Sequence, residues 1–133
     1  MGGNDNYFNN GIYIKGWTYN EMLLGNPLIT SPVILQGNRY DYIRNNKIIA
    51  HHLGIEGNIQ QVQYKLLYTY SLNYGTNEFQ ISPVKAHHTT LITIKIPDKF
   101  PWNLSLSCSL GADFGNLYGK NLGAMVSIRK QIF

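Results

Sequence analysis

One cysteine in 133 residues rules out any disulfide within the chain. That cysteine, Cys108, falls in an apolar row and reads as a small hydrophobe rather than a nucleophile. Charge is also scarce, at 14% of residues, and the eleven Lys and Arg are scattered, so the net charge of +4 gathers into no basic run. A nucleic-acid partner therefore has little support. No stretch approaches the apolar length of a transmembrane helix, and no segment carries a helical period. The opening residues, MGGNDNYFNN, lack the apolar segment of a secretory leader. Disorder is excluded by what remains, ten Tyr and 44% hydrophobic residues.

What the chain does have is alternation. In WNLSLSCSLGADF, residues 102–114, every second residue is apolar: Trp102, Leu104, Leu106, Cys108, Leu110, Ala112 and Phe114. Between them lie Asn103, Ser105, Ser107, Ser109, Gly111 and Asp113. A period of two is a β-strand with a different environment on each face. Soluble strands run about five or six residues, whereas a strand crossing a membrane barrel needs about nine to eleven. The length therefore favours a membrane. The pattern recurs in QVQYKLLYTYSLNY at 61–74, where Val62, Tyr64, Leu66, Tyr68, Tyr70, Leu72 and Tyr74 share a row broken on its polar side only by Leu67. It recurs in TTLITIKIP with Ile92, Ile94 and Ile96, and in LGAMVSIRKQIF with Leu122, Ala124, Val126 and Ile128. KIIAHHLGIEG at 47–57 is weaker, and GIYIKGWTYNEMLLG at 11–25 reads as a strand running into a loop.

The connections separate into short turns, 56–60 and 97–101, and longer loops, 25–46, 75–86 and 115–121. They alternate. The expected fold is all-β, an antiparallel up-and-down meander of about six strands over residues 11–133, preceded by a 1–10 segment of uncertain structure. Bacterial outer-membrane barrels have this asymmetry, with short periplasmic turns and long extracellular loops. They also carry aromatic girdles at both interfaces, for which Tyr64, Tyr70, Tyr74, Trp102 and Phe114 are candidates. Tyr68, nearer mid-strand, fits that scheme poorly. The opposite rows supply polar residues for a barrel lumen: Gln63, Lys65, Asn73, Lys95, Ser107, Ser109, Asp113 and Arg129. An open six-stranded sheet leaves two edges that lipid cannot satisfy, so the chain is expected to be part of a longer barrel and to aggregate alone.

Three stretches together, GWTYNEMLLGNPL at 16–28, HHLGIEGNIQQVQYKLLYTYSLNYGT at 51–76 and LGADFGNLYGKNLGAMVSIRKQIF at 110–133, resemble the C-terminal part of the capsule-assembly Wzi family, in the form found in Bacteroidetes. The resemblance covers the chain from about Tyr7 onward. It implies a large outer-membrane barrel of which this is the C-terminal portion, located in the bacterial outer membrane. It also implies partners: outer-membrane lipid, capsular or exopolysaccharide, and the barrel-assembly machinery, which would read a last strand ending in Phe133.

Candidate chemistry is sparse. The pairs His51–His52 and His87–His88 invite a metal, but adjacent strand residues point to opposite faces, so each pair offers one ligand per side where zinc needs three or four. Hydrogen bonding in the lumen or at the rim is the expectation, with no metal and no cofactor. Glu56 and Asp113 are too far apart in this topology for a glycosidase pair. Asp113 is expected to pair with a base inside the barrel, Arg129 or Lys95, and no His stands beside the serines to activate them. The chain is therefore read as non-catalytic. Sugar binding needs aromatic faces and planar polar groups, and the long loops offer Trp17, Tyr19, Arg39, Tyr40, Tyr42, Arg44 and Tyr118. A porin-like segment passing solute and a soluble lectin-like β-barrel remain alternatives. The soluble one requires the Tyr and Leu rows to face a core.

Overall fold

The computed structural model of the chain describes residues 12, 16–19, 22–30, 34–35, 39–40, 43–100 and 104–130, with 22, 34–35, 39–40 and 97–100 placed by their strand pairing alone. Among the described residues every regular element is a strand. Two short hairpins come first, β1 (Thr18–Tyr19) with β2 (Met22–Leu23), and β3 (Ile34–Leu35) with β4 (Arg39–Tyr40). Then follow five long strands, β5 (Lys47–Ile59), β6 (Val62–Gly75), β7 (Gln80–Phe100), β8 (Leu104–Gly115) and β9 (Asn121–Lys130). These form one antiparallel meander in the order β5-β6-β7-β8-β9, an open sheet with β5 and β9 as its edges. The chain divides into two compact units, one of Met1–Ile49 with Leu72–Lys85 and one of Ala50–Ser71 with Ala86–Phe133.

The sheet has five strands where the sequence pattern suggested six. The 11–25 segment doubles back on itself instead of extending: Thr18 pairs with Leu23, and the Leu24 amide donates to the Trp17 carbonyl at 2.8 Å. Gly16, at φ +61°, turns the chain into this hairpin. The 25–46 loop carries the second hairpin.

Three connections also moved. The turn expected over 56–60 sits at Gln60–Gln61, both at positive φ (47° and 77°). The loop expected over 75–86 is only 76–79, because Thr76 and Phe79 close it: the two exchange a backbone bond, and the Phe79 amide also donates to Thr76 Oγ1 at 2.9 Å. The turn expected over 97–101 is largely strand, since β7 runs through Phe100 with its register to β8 shifting between Ile96 and Phe100. The connections between sheet strands are thus 60–61, 76–79, 101–103 and 116–120, and the clear long–short contrast read from the sequence is lost.

A two-residue hairpin turn with both φ positive favours Asn-Gly, because a Cβ in the left-handed region costs about 1–2 kcal/mol. Gln61→Gly is therefore expected to stabilise the chain by about 1 kcal/mol, seen as a higher urea midpoint with unchanged slope. The glycine near this turn has another use. Gly57 lies on β5 beneath the Tyr64 ring, and a Cβ there would stand 2.5 Å from the tyrosine hydroxyl.

Register confirms the rows. Ile92, Leu110 and Ala124 align across β7, β8 and β9, as do Ile94, Cys108 and Val126, and Ile96, Leu106 and Ile128. On the other face Thr93, Ser109 and Met125 align, and so do Lys95, Ser107 and Ser127. The burial is the reverse of a soluble sheet. In the apolar rows Ile94 is 46% exposed, Leu110 49%, Val126 65% and Leu122 84%. In the polar rows Ser71 is 4% exposed, His87 5% and Ser109 9%. β9 is exposed on both faces. Among the described residues only Ile29 and Ile43 are buried hydrophobics, and both belong to the first unit.

The first unit is held instead by amides. Asn45 and Asn73 are each 1% exposed. Asn45 Nδ2 donates to Asn73 Oδ1 at 2.8 Å, Asn45 Oδ1 accepts from the Gly75 amide at 3.0 Å, and Asn73 Nδ2 donates to the Lys85 carbonyl at 3.0 Å.

Candidate functional site

Alternation puts Tyr68, Tyr70, His88 and Phe114 in the apolar rows, and strand register brings them together. His88 pairs with Phe114 in the β7–β8 ladder, and their rings stack at 4.7 Å with 7° between planes. Tyr70 approaches the same imidazole at 4.9 Å, and the Tyr68 hydroxyl is hydrogen-bonded to His88 Nδ1 at 2.7 Å. This gives Tyr68 the partner the sequence did not supply. The hydrogen bond satisfies two polar groups on an otherwise greasy face, and the rings form a continuous aromatic band.

The opposite face near the 116–120 turn is polar and crowded. His87 pairs with Gly115, where a Cβ would stand 2.5 Å from the Ala86 carbonyl oxygen and 2.7 Å from His87 Cα. Only glycine, here at φ +148°, permits that approach. The Tyr118 ring meets His87 edge-on at 5.3 Å. Asp113 pairs with Thr89 on one side and Asn121 on the other. Partial burial, with the Asp113 carboxylate adding to it, holds the Tyr118 hydroxyl above its usual pKa of 10.0. His87 Nδ1 is buried without a hydrogen-bond partner.

At the other end of the second unit, beside Gln60–Gln61, the polar rows of β5, β6 and β7 line a groove of about 470 Å³. Glu56, Asn58, Gln63, Tyr64, Lys65, Thr93 and Lys95 face it. Lys65 Nζ stands 4.0 Å from Glu56 Oε2, with both side chains well exposed, so the pair is weak.

Gln63, Lys65 and Lys95 are thus drawn into one groove, and Ser107 lies beside Lys95. Ser109 bonds Thr93 through their hydroxyls at 3.0 Å, and Asn73 belongs to the buried amide network. Arg129 pairs in register with Ser105, at the opposite end of β8 from Asp113. Asp113 therefore meets neither Arg129 nor Lys95 as the sequence suggested; its electrostatic neighbour is Tyr118. Of the girdle residues, Tyr70 and Phe114 enter the aromatic band, Tyr64 covers Gly57, and Tyr74 lines a second groove in the first unit.

The loop residues are not gathered. Trp17 and Tyr19 are exposed on or beside β1, Arg39 and Tyr40 form β4, and Arg44 lies over the Phe79 ring at 5.2 Å. All five belong to the first unit and Tyr118 to the second. Tyr42, Trp102 and Phe133 lie outside the described residues.

The histidines do bond as neighbours of hydroxyls: His52 Nδ1 meets Thr69 Oγ1 at 2.8 Å, and His88 meets Tyr68. Among the described residues no three His, Cys, Asp or Glu converge to hold a metal. The groove and the aromatic band are what sequence reading missed. Parity gave the face of each residue, but the register that decides its neighbours did not show locally.

No protein-family model, curated protein or solved structure matches the chain. Function has to be argued from the two faces of the sheet.

Proposed function

We propose that the chain forms part of an outer-membrane β-barrel that holds capsular or exopolysaccharide at the cell surface, without catalysis, as its resemblance to the capsule-assembly Wzi family implies. One observation carries the membrane half: the sheet of the second unit turns its apolar rows out and covers its polar rows. A water-soluble sheet does the opposite. Exposed apolar surface on this scale calls for a covering, and strands of ten or more residues suit a bilayer. Further strands would pair β5 and β9, since open edges are not tolerated in lipid. The alternative of a soluble core needs the Leu, Ile and Tyr rows buried, and they are exposed. The polysaccharide half is supported by the resemblance and by the exposed rings of Trp17, Tyr19 and Tyr118.

Cys108 tests the membrane half directly, because it is the sole cysteine and stands in the apolar row, exposed. With the protein expressed from its whole reading frame and folded into lipid vesicles, a fluorophore on Cys108 is expected to be quenched by doxyl lipid and little affected by aqueous iodide. Moved one residue, in a Cys108→Ser, Ser107→Cys variant, the same probe should lose its quenching by lipid. Equal iodide access at both positions would defeat the proposal.

A further inference from the structure

The groove beside Gln60–Gln61 has a chemistry that the loops do not share. Its charge is unbalanced: Lys65 and Lys95 face it against one carboxylate, Glu56. Among the described residues Lys95 has no ion-pair partner, and the Lys65–Glu56 contact at 4.0 Å is long and exposed. Beside the ammonium groups stand two amides, Asn58 and Gln63, and the Thr93 hydroxyl, all able to donate. Tyr64 contributes the aromatic wall, seated over Gly57. The volume, about 470 Å³, lies within the range of small-ligand sites.

A free inorganic anion would use the lysines and waste the rest. A neutral polyol would use the amides and the ring, and leave an uncompensated pair of cations. A ligand that answers every group is a hydroxylated ring bearing an anion.

We infer that this groove binds an acidic sugar unit. The carboxylate or phosphate of the sugar takes Lys65 and Lys95, its hydroxyls take Asn58, Gln63 and Thr93, and its C–H face lies on Tyr64. The inference shares the polysaccharide half of the proposal above but moves the site from the loops to the polar face of the sheet. It does not require the membrane half.

The test uses the protein from its whole reading frame, in detergent, titrated calorimetrically with a short oligogalacturonate. A neutral malto-oligosaccharide of the same length and inorganic phosphate serve as comparisons. Saturable binding of the acidic oligomer is expected, at least about tenfold tighter than the neutral one, since charge-assisted bonds are roughly twice as strong as neutral ones. The double variant Lys65→Gln, Lys95→Gln should lose that preference, while Lys120→Gln, which removes a charge from an exposed turn, should keep it. Tyr64→Leu should weaken the oligomer and leave phosphate unchanged. Circular dichroism of each variant confirms that the strands remain.

Equal affinity for the neutral oligomer would overturn the inference. So would phosphate displacing the oligomer mole for mole, which would mean an anion site blind to sugar. If Trp17→Ala abolishes binding and the double lysine variant does not, the loops hold the polymer: the proposed function stands and the groove assignment falls. If Cys108 proves open to water while the lysine variants lose binding, the membrane half fails and the groove remains.

Discussion

Val126→Arg is expected to cost about 2–4 kcal/mol of folding free energy in a bilayer, while Met125→Arg, one residue earlier, costs less than about 0.5 kcal/mol. The comparison is sharp because the two residues are nearly alike in every respect but direction. Both lie on β9, and they are 65% and 61% exposed. Val126 pairs with Cys108 in the apolar row, and Met125 pairs with Ser109 in the polar one. If water bathes both faces, neither arginine meets a penalty beyond that of a surface change, and the two variants match. If hydrocarbon covers one face, only the arginine at 126 must be dragged into it. Urea unfolding of vesicle-inserted protein, followed by tryptophan fluorescence, reads the difference. Matching midpoints would remove the membrane reading.

Asn45→Ala should destabilise the first unit by about 2–4 kcal/mol. The loss is not one hydrogen bond but two orphaned groups. Asn73 Oδ1 and the Gly75 amide both depend on the Asn45 side chain, and Asn73 and Gly75 are buried. Each stranded polar group costs about 1–3 kcal/mol when water cannot reach it. Where buried apolar side chains are few, the amide network carries a large share of the order, and Ile29 and Ile43 offer little to offset its loss. Hydrogen exchange should show the change first at the amides of Gly75 and Asn46, the latter donating to the Gly75 carbonyl at 3.0 Å. Protection unchanged at both would show that the amides are incidental.

The sequence made some of this legible and hid the rest for physical reasons. The strands at 62–75, 104–115 and 121–130 were readable because alternation over ten or more residues admits no other backbone. The first strand was misread because isolated apolar residues around Trp17 and Leu23 suit a hairpin as well as a strand, and only long-range pairing decides. The 60–61 turn was hidden because two glutamines adopt angles usually left to Asn and Gly, while the nearby Gly57, which looks like a turn residue, is kept small for Tyr64. The loop at 75–86 shrank because Pro83 looks like a terminator yet is accommodated within β7. For the groove, Gln63, Lys65 and Lys95 could be assigned to the polar face from parity alone. Their convergence with Glu56 and Asn58 depended on where the hairpin turns, and that was misplaced by a few residues.

Strand order that follows chain order has a kinetic meaning. Each long strand is hydrogen-bonded only to its neighbours in sequence, and the connections between them, 60–61, 76–79, 101–103 and 116–120, are all brief. No distant segments must find one another before a ladder can begin, so the entropy of loop closure stays small at every step. The sheet can start from any one hairpin and lengthen by successive addition, as a zipper does, with the last-added strand always the one left waiting for a mate.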